Sequence, residues 1–582
     1  MILIIAYIIG CFLGALCLKG HESRQPHWIL LGICALVCVV YLVADRIPSP
    51  GFSLSSFTPG ETHVSGNRAT TIRGSTLPMS WISQFSTSIF AAGLSQISSL
   101  GESAMAARIG GALYLLGAVT ILVRPRYGLY LTLFCTLVGD ATLLPWFPFV
   151  KGFSAHESLF FVHDAMIISP LELYIVLIGS SWLGWQAWRG QLCFYTGELF
   201  WPTLVFLALL LFGFIYGVGT GGDLRIALWE VRFISYLVAL LILTSNLIEK
   251  PAHAKHLIWI VMAALLIKGI YGSLYYLLIL RGDLSGIERI SQHGAAMHLN
   301  TLFVFGLALW IYKASAVKRV FLPLTIPLVA LGYIAMQRRA AFVTLAIAVF
   351  LTVAFLYKAR RRLFWLIAPL LATLSLGYVA VFWNSQSLLG LPAQAIRSVI
   401  AAEQASDEDQ RSNDYRVLEN RNIDFTIHQH PITGVGFGQK FYIVASMPDI
   451  GWFEWWEYIT HNSILWIWMK TGVGGFFSVL FLFGLAVVTG VRALGGQPGD
   501  EFSAVVLMAT LSIVMHFIYA CVDMSWEAQG IVYVATLMGL VNGAERIGSK
   551  RVTQPSASWH WKSWPQPLFV HLHQQRNSER CV

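Results

Sequence analysis

The chain has 582 residues, 56% of them hydrophobic and only 12% charged, where ordinary soluble domains carry about 25% charge. Apolar runs of roughly 17–25 residues recur along nearly the whole length, each long enough to cross a hydrocarbon core of about 30 Å. This excludes a soluble domain, and the absence of short alternating segments excludes a β-barrel. The formal charge of +9 does not point to nucleic acid, because the basic residues sit in short loops between apolar spans, where they orient helices.

The expected fold is all-α: a polytopic transmembrane helical bundle of about 12–15 spans. Residues 1–44 form an N-terminal hairpin of two spans, 2–18 and 28–44. With no basic leader before Ile2, the first is read as a retained span. Residues 45–109 are a Ser/Thr/Gly/Pro-rich insertion. Its second half, around WISQFSTSIFAAGLSQISS, suits either an interfacial amphipathic helix or a surface insertion. Residues 110–383 hold spans at 110–123, 127–149, 165–185, 199–218, 233–248, 257–280, 296–312, 320–336, 340–357 and 363–383. A long polar loop follows at 384–460, then spans at 463–488, 503–522 and 528–541 within residues 461–545, and a basic, aromatic tail at 546–582.

Lys and Arg concentrate in alternate loops, most densely in KARRR at 358–362, just before the span that leads into the long loop. The positive-inside rule puts that set in the cytoplasm and the 384–460 loop outside it. A chain that keeps this much charged sequence out of lipid is expected to work there. The eight cysteines are scattered, with no CxxC pair and no His/Cys cluster, so neither a metal site nor a disulfide framework is expected.

Arginines on the outward side break the charge rule. Arg338 and Arg339 lie in MQRRAAFV with almost no loop between two spans. Each guanidinium must snorkel, pair with an acid such as Glu403 or Asp414, or meet an anion. A planar fork suits the oxygens of a lipid-linked diphosphate. Arg289 precedes another span, with Glu288 or Asp283 as rival partners, and Asn300 beyond it reads as a helix–helix hydrogen-bond partner. Arg225 and Arg232, with Glu230 between them, are secondary phosphate candidates or structural ion pairs. His461 opens a span beside Asn462 and Ser463. It is either a cap or a general base for a sugar hydroxyl, with His428 and His430 as rival bases. Lys470, two to three turns on, has to face the bundle interior or snorkel. The glycines of HPITGVGFGQKF lack the context of a dinucleotide fingerprint. They permit close approach of backbone to a ligand or a neighbouring helix.

Four stretches in order, RISQHGAAMHLNTL, MQRRAAF, SNDYRVLENRNIDFTIHQHPITGVGFGQKF and HNSILWIWMKTGVGG, resemble the O-antigen ligase/polymerase superfamily of bacterial inner-membrane glycosyltransferases. The resemblance covers roughly the C-terminal half. It implies a C-type glycosyltransferase-like helical fold with a large periplasmic loop over a cavity. It also implies a metal-independent, inverting enzyme without cofactors, whose donor is an undecaprenyl-diphosphate-linked glycan and whose acceptor is a hydroxyl on a glycan or lipid. Carried onto this sequence, it makes His461 the base and Arg289 with Arg338 or Arg339 the diphosphate ligands, with Arg416 inside the third stretch as a further candidate. Two departures stand out: Gln337 where the family usually has Ser, and Lys470 where it commonly has Glu. The work implied is lipopolysaccharide or exopolysaccharide assembly in the inner membrane, by ligation or by polymerisation. A transporter or flippase of an anionic or lipid-linked substrate, and an envelope scaffold, are the readings from other classes.

Overall fold

A computed structural model describes residues 1–17, 102–140, 143, 161–163, 166–167, 170–190, 192–284, 287, 290–292, 294–385, 387–401, 407–448, 455–495 and 499–548. The second span, most of the 45–109 insertion and the tail from 549 lie outside these residues, as does Arg289.

The architecture is helical, with one two-stranded antiparallel ribbon, β1 (Phe161–His163) and β2 (Met166–Ile167), leading into a helix that starts at Pro170. In chain order the helices are α1 (Ile2–Cys17), α2 (Glu102–Val123), α3 (Pro125–Val138), α4 (Pro170–Trp188), α5 (Phe200–Gly219), α6 (Leu224–Leu247) and α7 (Pro251–Leu274). The last runs on into a π-turn, Tyr275–Ile279. Then come α8 (Ala295–Ile311), α9 (Ala316–Ala335), α10 (Arg339–Ala359), α11 (Arg361–Phe382), α12 (Leu391–Ile400), α13 (Asp407–Gln429), α14 (Ser463–Gly495), α15 (Glu501–Ala520) and α16 (Ala528–Gly548). Among the described residues eight helices are long and apolar enough to cross a membrane, and three shorter ones are apolar.

Burial separates centre from edge. The apolar window of α15 is wholly buried and that of α11 not at all, so α15 is the bundle's axis and α11 its rim. Around α15 pack α14, α8, α16 and α10. Asn300 of α8 donates to the Ala341 carbonyl at 2.8 Å and to Thr344 at 3.1 Å on α10, the helix–helix role expected of it.

Two boundaries differ from the hydropathy reading. α6 starts nine residues before the apolar run at 233 because Asp223 caps it, accepting from the Ile226 N–H at 3.0 Å. Arg225, Glu230 and Arg232 are therefore helical, not in a loop. The 384–460 region is likewise built rather than loose: it holds α12 and α13, and then a glycine strap.

That strap, residues 431–440, threads between α5 and α14 by backbone contact. Phe437 N–H donates to the Gly213 carbonyl at 3.1 Å, Val435 N–H to Met469 at 2.8 Å and Gly436 N–H to Lys470 at 3.1 Å. Gly436 has φ +88° and Gly472, at a kink inside α14, has φ +71°. A Cβ on Gly436 would collide with Gly217, and one on Gly472 with the Ile432 carbonyl. Glycine is needed at both for conformation and for space.

Candidate functional site

α10 and α14 begin, and α15 ends, at the end of the bundle that carries α13. Arg338, Arg339, Arg416 and His461 gather there. The turn from α9 to α10 is tight: Gln337 takes the left-handed conformation (φ +56°) and is held by its side-chain donation to the Ile287 carbonyl at 2.9 Å. Arg338 follows as the extended N-cap of α10, whose first turn has no side-chain cap. An uncapped N-terminus presents free N–H groups and favours anions. The Arg338 Nε and Nη2 atoms are buried without a hydrogen-bond partner. Buried guanidinium nitrogens that bond to nothing are costly, and a bound anion would satisfy them.

Arg339 differs from its neighbour. It pairs with Asp409 of α13 at 3.2 Å; Glu403, one of the expected partners, lies outside the described residues. Two turns along α13, Arg416 has a buried Nε without a partner. One turn further, Glu419 is buried and accepts from His461 twice: from the backbone N–H at 2.9 Å and at Nδ1, 3.1 Å away. Positions 409, 412, 416 and 419 follow the helical repeat, so Asp409, Arg416 and Glu419 lie along one face of α13. Ten residues at 1.5 Å each make that face about 15 Å long. Arg339 is tied to one end and His461 to the other, with Arg416 between them.

The imidazole is held on two sides and open on a third. Glu419 holds Nδ1, the Tyr415 ring meets it edge-on at 5.6 Å, and a quarter of the side chain remains exposed. This leaves Nε2 as the free nitrogen. Burial, with Glu419 adding to it, pushes the Tyr415 hydroxyl above its ordinary range, so it stays protonated. His461 is also anchored through the residues after it. Ser463 donates to the Asp523 carbonyl at 3.1 Å, accepts from the Ser525 N–H at 3.0 Å, and gives its own carbonyl to the Trp526 indole at 2.7 Å.

The other candidates fall elsewhere. Arg232 forks onto Glu172, with 2.8 Å between Nη2 and Oε2, and stacks over Trp229 at 4.5 Å; it is a structural pair. Arg225 is exposed in the first turn of α6. Lys470 is fully buried, 2.8 Å from Glu230, whose carboxylate also takes the Gly438 N–H. The pair clamps the glycine strap. The rival imidazoles are engaged, His428 Nδ1 with the Asp424 carbonyl at 2.8 Å and His430 Nε2 with the Tyr442 hydroxyl at 3.0 Å. A cavity of about 250 Å³ between Glu198, Thr489 and Asn542 lies at the opposite end of the bundle. Glu198 there is already satisfied by Arg492 at 2.9 Å. Among the described residues no group of three or more His, Cys, Asp or Glu could hold a metal.

Sequence pattern alone does not mark Glu419 as a functional residue. Its signal is spacing: in DYRVLEN, Tyr415 and Glu419 are four apart and straddle Arg416, but only the fold shows which imidazole they serve.

Fold and site together define a polytopic, helical membrane protein with a covered polar site at one lip of its bundle. Residues 324–480 match the O-antigen ligase family, a segment that contains Arg338, Arg339, Arg416, Glu419 and His461. Over that segment the chain is similar to the O-antigen ligase family. No curated protein matches it.

Proposed function

We propose that the protein transfers a glycan from undecaprenyl diphosphate to an acceptor hydroxyl at the periplasmic face of the bacterial inner membrane, as an O-antigen ligase-type glycosyltransferase. The carrying observation is α13, one face of which binds Arg339 through Asp409 and His461 through Glu419, with the unpartnered Arg416 between. Arg338, Arg416, the N-terminus of α10 and Arg289 take the diphosphate. His461 Nε2 removes the acceptor proton, and Glu419 holds Nδ1 and stabilises the imidazolium that forms. The acceptor oxygen attacks the anomeric carbon, and the bond from that carbon to the diphosphate oxygen breaks. Its electron pair leaves with undecaprenyl diphosphate, where the guanidiniums offset the developing charge. Attack opposite the leaving group inverts the anomeric centre. α13 covers the site and excludes water, so that transfer outruns hydrolysis.

A polymerase would use the same groups on a growing glycan instead of a lipid core. Purified protein, given undecaprenyl-diphosphate glycan with lipid A-core or with a second glycan carrier, is expected to yield the lipid A-core conjugate. A lengthened carrier-linked glycan would assign it to the polymerases, and movement of glycolipid without a new covalent bond would assign it to transport.

A further inference from the structure

The turn between α15 and α16 lies outside the family-matched segment, yet it is bolted to the candidate site. Its backbone is held by Ser463, two residues after His461. Its other flank is Tyr519, which bonds Asp523 at 2.9 Å and lies within electrostatic reach of both Arg338 and Glu527. Glu527 follows Trp526, whose indole donates to the Ser463 carbonyl at 2.7 Å, so it lies beside the residues that anchor His461. It is half-buried and accepts from the Gly294 N–H at 3.2 Å.

Across Gly294 sits His298. A Cβ on Gly294 would come within 2.6 Å of Glu527 Oε1 and 3.3 Å of His298 Cε1, so both side chains lie against the same bare stretch of backbone. His298 is 0% exposed, and neither of its ring nitrogens has a hydrogen-bond partner. An imidazole with one donor and one acceptor, both unmet in the interior, leaves a deficit that a ligand or water must fill.

We propose that Glu527 and His298 form a subsite for the sugar joined to the diphosphate, taking its ring hydroxyls. This rests on the glycosyl-transfer reading. In that reaction the transferred sugar must sit between the base and the leaving group, so other groups lining that space meet the sugar. The chemistry selects hydroxyls. A second phosphate is disfavoured by the Glu527 carboxylate. A metal cation would need more carboxylates or imidazoles than the described residues bring together here. A carboxylate accepts from one hydroxyl, and an imidazole both accepts from and donates to another.

The test measures binding of full-length protein in nanodiscs to two probes: undecaprenyl diphosphate, and undecaprenyl diphosphate bearing one N-acetylhexosamine. Wild type is expected to bind the sugar-bearing lipid about 10- to 100-fold more tightly, the scale of charge-assisted hydrogen bonds. Glu527→Gln and, separately, His298→Gln are expected to remove most of that preference and leave affinity for the bare lipid unchanged. His461→Ala is expected to keep the preference. An intact preference in both variants, equal loss for both lipids, or no preference in wild type would overturn the subsite. Failure of wild type to bind either lipid would instead bring down the diphosphate reading itself.

Discussion

Glu419 accepts from both the backbone N–H and the Nδ1 side of His461, at 2.9 and 3.1 Å, across 42 residues of sequence. A carboxylate in that position sets the tautomer and orientation of the imidazole and exposes Nε2 as a base. His461→Ala is expected to lower kcat by about 10²- to 10⁴-fold, the range of general base catalysis. Glu419→Gln, which keeps a hydrogen-bonding group but removes the charge, is expected to fall between wild type and Glu419→Ala. Turnover measured at matched protein levels checks this. Equal activity of all three Glu419 forms would mean that the carboxylate only anchors α13.

Arg338 and Arg339 are adjacent in sequence and differ in environment. Arg338→Ala is expected to raise the KM for the lipid donor and weaken inhibition by inorganic pyrophosphate, and Arg338→Lys is expected to rescue poorly because an ammonium lacks the fork. Arg339→Ala is expected to act through the cover: its effect and that of Asp409→Ala should be strongly non-additive in a double-mutant cycle. Additive losses would contradict the tether.

The buried Lys470–Glu230 pair (2.8 Å) holds the strap rather than the substrate. Removing one partner strands a charge and typically costs about 3–5 kcal/mol. Lys470→Met is thus expected to lower thermal stability in detergent sharply, and exchanging the two residues is expected to recover much of it. A Lys470→Met protein of normal stability but without activity would place Lys470 in the chemistry instead.

Backbone packing of the strap makes a further separation. Gly436→Ala and Gly472→Ala are expected to destabilise the protein severely, since each Cβ meets backbone that cannot move aside. Gly184→Ala in α4, where a Cβ meets nothing within 4 Å, is expected to be neutral or mildly stabilising. Melting temperatures of the three variants decide it.

Metal removal is expected to have no effect. The groups assigned to charge stabilisation are guanidiniums and a helix N-terminus, so EDTA should change the transfer rate by less than about twofold, the factor corresponding to about 0.4 kcal/mol of barrier. Loss of activity on chelation, restored by a divalent ion, would require carboxylates to replace those groups in the mechanism.

Much of the architecture was legible because lipid imposes a simple pattern. Apolar runs at 340–357 and 503–522 became α10 and α15 with ends moved by two residues or less. The close-approach role of the strap glycines, and the helix–helix role of Asn300, were also readable from residue type alone. Charged helix ends were not. Hydropathy discards a charged stretch such as LRIALWEVR and so starts α6 too late, although Asp223 in the sequence is a usable cap signal. Long-range pairing was beyond reach for a different reason. That Arg339 is taken by Asp409, while Arg338 keeps two buried nitrogens unmet, depends on how α13 lies over the bundle. Nothing local in MQRRAAF distinguishes the two arginines.

The most direct measurement is a single-turnover assay with purified protein and labelled undecaprenyl-diphosphate glycan, following release of undecaprenyl diphosphate together with formation of the new glycosidic bond. The account predicts coupled release and transfer in wild type, bound but untransferred donor in His461→Ala, and weak donor binding in Arg338→Ala. Coupled transfer at the wild-type rate in both variants would contradict it.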